Sequence, residues 1–185
     1  MGIDISITTD IDKQLYSPEY YDLEENYFSQ HSLSRTFCSF MFRKTELNQI
    51  REITKVDILP LCDMEESLSS SELESSLYFT NSEEEKDRIR NGVEMSRIKL
   101  NGNIYKVLNT IISLINELNK IQNLAGRIKE TDLDSLTHSY YFSEFKKDIG
   151  EGYIDNNLGR DLRNFKRFLE YAEDKGARTI WFDYG

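Results

Sequence analysis

The chain has 185 residues, 38% hydrophobic and 30% charged, enough for one ordinary core. Its formal net charge is −10 and its pI is near 4.8, which argues against nonspecific nucleic-acid or anionic-membrane binding, because neutralising phosphate needs a surplus of Lys and Arg. No apolar stretch approaches the roughly 20 residues that span a bilayer, and no basic start leads into an apolar leader, so a cytoplasmic setting is expected.

Residues 2–8 alternate, with Ile3, Ile5 and Ile7 on one face and Asp4, Ser6 and Thr8 on the other, as in a half-buried strand. Residues 10–30 interleave acids with Tyr16, Tyr20, Tyr21, Tyr27 and Phe28, and Pro18 interrupts any early helix. An ordered loop pinned by its rings is expected there. Ser32 is placed to cap a helix over 32–43 that turns Leu33, Phe37, Phe40 and Met41 inward. Cys38 in its midst reads as a buried, inert thiol. With Cys62 it makes only two cysteines, too few for a disulfide framework.

A second short helix is expected near 46–53, and a strand over 56–59 ended by Pro60. Residues 63–85 are rich in Glu and Ser and contain no Lys or Arg, so 63–81 reads as a mobile acidic segment. Met64, Leu68, Leu73 and Leu77 offer a short helix there only weak docking.

The run 82–123 is the strongest helical signal. Ile89, Val93, Leu100, Ile104, Val107, Ile111, Leu114, Leu118 and Ile121 recur at steps of three, four or seven. Ser82 and Glu85 form a capping box, and Glu83, Glu84 and Glu85 sit where the helix dipole favours acids. Asn101-Gly102-Asn103 is the weak point. Because the apolar phase passes from Leu100 to Ile104 without slipping, a continuous helix of about 60 Å is favoured over a helical hairpin.

Residues 139–145 read as an aromatic strand, 161–173 as an amphipathic helix stopped by Gly176, and 178–184 as a last strand. The fold class is therefore α+β in a single domain over 1–185. A long central helix or hairpin packs with shorter helices and a small sheet that includes both terminal strands.

Chemistry-bearing patterns are sparse. Around Gly152 the segment 147–158 mimics a calcium loop, but Lys147, Ile149 and Leu158 occupy three positions that must supply oxygen. Gly150, Gly152 and Gly159 precede a helix, yet neither phosphate-loop signature is present, so a turn-rich connection is the reading. Arg160, Arg163 and Arg167 form the clearest basic stripe. His31 and His138 are the two histidines, too few for a Cys/His zinc site. His31-Ser32-Leu33-Ser34-Arg35 brings a base, hydroxyls and a cation together near a helix start, where His31 reads as a capping or surface residue. Asp10-x-Asp12 and Asp132-x-Asp134 are too short to assign a metal.

No catalytic set, cofactor or metal is assigned. The expected role is a non-catalytic acidic interaction module, of inhibitor or immunity type, with a basic protein partner. Tyr-rich acidic surfaces suit recognition because Tyr gives large contact area at low rotamer cost. Candidate binding residues are Tyr20, Tyr21, Tyr27, His31, Arg35, Tyr153, Arg160, Arg163 and Arg167. Two rivals stand beside this reading. One is a small-molecule or nucleotide binder, or an enzyme, using the 148–160 loop and the arginine stripe. The other is a homo-oligomer paired through the 82–123 seam.

Overall fold

The computed structural model describes residues 5–16, 18–21, 31–64 and 70–184. β1 (Ile5–Thr9) and β2 (Ile180–Tyr184) pair antiparallel, with Ile7 opposite Phe182 and Thr8 opposite Trp181. The terminal strands are thus neighbours, as the sequence implied. Ile7, Ile180 and Phe182 are buried on the inner face, which fixes the register, since a one-residue slip would turn them to solvent.

Between the strands the chain is helical. α1 (Asp12–Leu15) and a 3₁₀ turn (Pro18–Tyr21) follow β1. Next come α2 (Arg35–Arg43), α3 (Thr45–Thr54) and α4 (Leu59–Asp63). Then α5 (Ser70–Phe79), α6 (Glu83–Lys99), α7 (Ile104–Leu118), α8 (Ser135–Tyr141) and α9 (Leu158–Asp174) lead into β2. The core centres on α7 against α9. Ile104, Val107, Ile111, Leu114 and Leu118 on the first meet a cluster that includes Leu158, Leu162, Phe165, Leu169 and Ala172 on the second. Phe37, Phe40, Met41, Leu47 and Ile50 of α2 and α3 close it from one side. No helix among the described residues is long and apolar enough to cross a membrane.

Several expectations need correction. The long helix over 82–123 is interrupted between Leu100 and Asn103, where Gly102 takes φ +72°. The break is stabilised by the start of β2. Asn103 donates from Nδ2 to the Ile180 carbonyl and accepts from the Ile180 N–H, both at 2.8 Å. The Gly102 N–H donates to Thr179 Oγ1 at 3.1 Å, and the Ile104 N–H to the Arg178 carbonyl at 3.2 Å. Leu100 and Ile104 are both buried, so the periodicity runs straight through a turn it does not register. Nor do the two halves fold back on one another: α6 pairs with α5, and α7 with α9.

Residues 56–59 are not a strand. Lys55 ends α3 at φ 60°, Asp57 Oδ1 accepts from the Leu59 N–H, and Pro60 sits in the first turn of α4, where its missing donor costs nothing. Residues 139–145 are not a strand either. The carboxylate of Asp134 caps α8 by accepting from the Leu136 and Thr137 N–H groups, and the helix is too short to display its period. Ser34 rather than Ser32 caps α2, accepting from the Phe37 N–H at 3.2 Å.

The Ser82 cap holds as read, accepting from the Glu85 N–H. Within the acidic segment, α5 is helical and buries Leu73 and Leu77 only partly, while Tyr78 and Phe79 stay exposed.

Candidate functional site

The site is built outward from a buried polar hub. Asp161, in the first turn of α9, is fully buried on the helix's apolar side, between Leu158 and Leu162. Its Oδ1 accepts from the Ser34 N–H (2.9 Å) and from Asn156 Nδ2 (2.9 Å). Its Oδ2 accepts from Ser34 Oγ (2.6 Å) and Tyr141 Oη (3.0 Å). Burial raises its pKa to about 6 despite these four donors, which pull the other way. One turn later Asn164 donates from Nδ2 to the Ser32 carbonyl at 2.7 Å. The segment leading into α2 is therefore held to α9 by two consecutive turns of side chains.

A loop across from it is fixed as firmly. Asn157 caps α9 by accepting from the Arg160 N–H, and its Nδ2 donates to the Lys147 carbonyl at 2.7 Å. Gly150 takes φ +105°, and a Cβ there would lie 2.3 Å from the Asp155 carbonyl oxygen, so only glycine fits. The turn-rich reading of 148–157 is what the backbone adopts, with Gly152 and Asp155 also at positive φ. This loop delivers Tyr153, whose carbonyl accepts from the Arg35 N–H at 3.4 Å and whose Oη accepts from Arg35 Nε at 3.0 Å.

Between these supports lies an open cavity of about 280 Å³. Its described lining combines the β1 residues Ile5, Ser6 and Ile7 with Tyr16, Tyr20 and Tyr21. His31, Ser32, Leu33, Tyr153 and Phe168 complete it. Four of the nine candidate residues, Tyr20, Tyr21, His31 and Tyr153, converge here from three separated segments, with Arg35 beside them on Tyr153. No described lining residue is an acid, a lysine, an arginine or a cysteine.

The rings are arranged in two orientations. His31 lies nearly parallel to Tyr20 (5.6 Å, 20°) and to Tyr171 (5.4 Å, 26°), forming a stepped bed. Tyr16 and Tyr21 stand edge-on to Tyr20, at 86° and 87°, and Phe168 is steep to His31 at 75°. Such offset and edge-to-face contacts are the favoured geometries of aromatic quadrupoles. Tyr16 donates from its hydroxyl to the Ile7 carbonyl and Tyr171 to the Leu15 carbonyl, which locks both rings. Burial, reinforced by the charge of Arg167, lowers the His31 pKa to about 4. His31 is thus a neutral buried ring of the wall, not the surface or capping residue expected.

The arginine stripe does not join the cavity wall. Arg163 pairs with Asp148 and donates to the Phe145 carbonyl. Arg160 is half-buried, and Arg167 donates to Asn164 Oδ1. The Arg163 guanidinium braces the 145–148 connection against α9. Tyr27 lies outside the described residues.

Tyr16, Ser32, Leu33 and Phe168 were missed, as was the whole Asp161 hub. One signal for the hub was available: Leu158, Asp161, Leu162 and Phe165 are spaced for one helix face, so an acid stood on the apolar side. Comparison with protein-family models, with curated proteins and with solved structures finds no match to this chain.

Proposed function

We propose that this is a non-catalytic recognition protein that holds a partner protein by an anchor side chain seated in the Tyr/His cavity. The observation that carries this reading is the convergence of Tyr20, Tyr21, His31 and Tyr153 on one open space, held by rigid elements and lined by rings. Interfaces concentrate their energy in such desolvated aromatic pockets. At about 280 Å³ the space suits one large side chain better than a drug-sized molecule, for which pockets of roughly 300–1,000 Å³ are usual. The net charge of −10 favours a partner with a basic surface, since it accelerates that encounter.

Acid–base or nucleophilic chemistry finds little support among the described residues. Ser34 is buried and its hydroxyl is donated to Asp161, and a His31 with so low a pKa is a weak base at neutral pH. An anion site on the stripe is disfavoured by the Arg163–Asp148 pair.

The test is selection from a displayed random-peptide library on the wild-type protein and on Ile5→Trp. Ile5 is a half-buried strand position that lines the cavity on the same strand face as Ile7, and Trp is well accepted in strands. The introduced indole is expected to fill the space. Enrichment of a common motif on the wild type, lost on Ile5→Trp, supports the reading; motifs selected equally by both proteins overturn it.

A further inference from the structure

We infer that the outer side of the α5–α6 hairpin is a self-association surface, on which a second copy of this chain docks antiparallel across a two-fold axis. No residue of the described cavity lining lies on this hairpin, so the contact is additional to the recognition role proposed above.

The first observation is how little the chain itself covers. α6 runs 17 residues, yet Val93 is its one buried residue, and none of the described side chains of α5 is buried. Helices in proteins owe most of their stability to a packed apolar face, so this hairpin is under-supported by its own chain. Val93 and Leu100 of the 82–123 seam already turn inward, and the inferred contact uses the opposite side.

The second is where the exposed apolar groups stand. Tyr78 and Phe79 close α5, 83% and 77% exposed, and Met95 and Ile98 lie toward the end of α6, 58% and 56% exposed. Residues 80–82 join the two helices, which sets Tyr78 and Phe79 beside the start of α6. At 1.5 Å per residue the two patches are about 20 Å apart along the hairpin. An antiparallel second copy covers both at once, because the Tyr78/Phe79 end of each hairpin meets the Met95/Ile98 end of the other. Four such side chains from each copy remove roughly 1,000 Å² from water, the threshold for a specific interface. Between the patches the exposed Arg88–Glu84 and Arg90–Asp87 pairs can exchange partners across the axis at little cost.

The third is charge. The whole chain carries −10, but α6 holds five acids and five bases between Glu83 and Lys99 and is neutral. Glu83, Glu84 and Glu85 fill its first turn, and Arg97 and Lys99 stand in its last. Antiparallel pairing sets the acidic end of each helix against the basic end of the other and opposes the two helix dipoles. Such a neutral, polarised helix fits its own inverted copy better than a uniformly basic partner.

Sedimentation equilibrium of the full chain is the experiment. A monomer of 21.8 kDa is expected in exchange with a dimer, with Kd of about 10–100 μM for an interface at the lower size limit. Met95→Glu and Phe79→Glu each put a carboxylate into the contact, and each should weaken it about tenfold or more. Cysteines at two exposed positions report the orientation: Asn81→Cys beside the Phe79 patch and Asn101→Cys beside the Ile98 patch. With a short bismaleimide, a mixture of these two variants should give covalent dimers. Each variant alone should give no more than wild type, whose Cys38 is buried and Cys62 half-buried.

A chain that stays monomeric throughout overturns the inference, as does a dimer that either glutamate leaves unweakened. Cross-linking within a single variant as strong as in the mixture overturns it too. The cysteine variants keep both apolar patches intact, so they decide the question even where a glutamate variant misfolds.

Discussion

Removing the carboxylate of Asp161 should be among the costliest single changes in the protein. Asp161→Ala leaves the Ser34 N–H, the Ser34 hydroxyl, Asn156 Nδ2 and the Tyr141 hydroxyl without their acceptor. Each buried donor so orphaned costs on the order of 1–3 kcal/mol before relaxation, and some regain partners, so a net loss of about 3–5 kcal/mol is expected. That is a large share of the roughly 5–15 kcal/mol that holds a domain of this kind together.

Asp161→Asn separates shape from charge. The folded pKa is raised to about 6 from 3.8 by burial, so between those values the folded state binds the proton more tightly than the unfolded chain. Stability from this group is fully present below pH 4 and falls as pH rises through 6, by about 3 kcal/mol. The amide does not titrate. The deficit of Asp161→Asn relative to wild type should therefore be largest at pH 4 and shrink or reverse by pH 7.

Urea denaturation at pH 4, 5.5 and 7, followed by the fluorescence of Trp181, the one tryptophan, measures both effects. An Asp161→Ala variant within 1 kcal/mol of wild type, or an Asn deficit that grows with pH, would refute the reasoning.

Further outcomes follow from the same geometry. His31→Phe keeps a stacked ring and removes a group whose pKa is lowered to about 4 by burial. Stability from neutral His31 is present above pH 6.5 and is lost as pH falls, so the variant should gain about 3 kcal/mol relative to wild type between pH 7 and pH 4 in urea melts. Asn103→Ala deprives both backbone groups of Ile180 of their partner and is expected to lower stability by about 2–4 kcal/mol. Hydrogen exchange should then rise first at β2 and at the α6–α7 turn. Gly150→Ala forces a Cβ against the Asp155 carbonyl at φ +105°, and a loss above about 2 kcal/mol is expected. Binding of the selected peptide should weaken with it as Tyr153 shifts.

Elements with strong end signals were legible in the sequence. The alternation around Ile5 and Ile7, the Ser82 cap and the Gly176 stop each act locally, and each appears where the residues place it. The errors share a different cause. Gly102 turns the chain without shifting the apolar phase, and what makes the turn favourable is Asn103 binding a strand 77 residues away. Asp134 and Pro60 override residues of strand propensity by capping and opening short helices.

The site was half legible for the same reason. Tyr20, Tyr21, His31 and Tyr153 stood out as rings and a base in polar surroundings, but only the fold gathers them. His31 was misread because its burial comes from Tyr20, Tyr171 and Phe168, which are remote in sequence or hidden among core positions. The arginine stripe is periodic, yet its Asp148 partner lies in an irregular loop that periodicity cannot orient.

Chemical-shift mapping with the tightest selected peptide tests the recognition surface most directly. At saturation, the largest ring-proton shifts are predicted at Tyr20, Tyr21, His31 and Tyr153, and they should vanish in Ile5→Trp. Shifts confined instead to the exposed Tyr78 and Phe79 of α5, with the four cavity rings unmoved, would contradict the account.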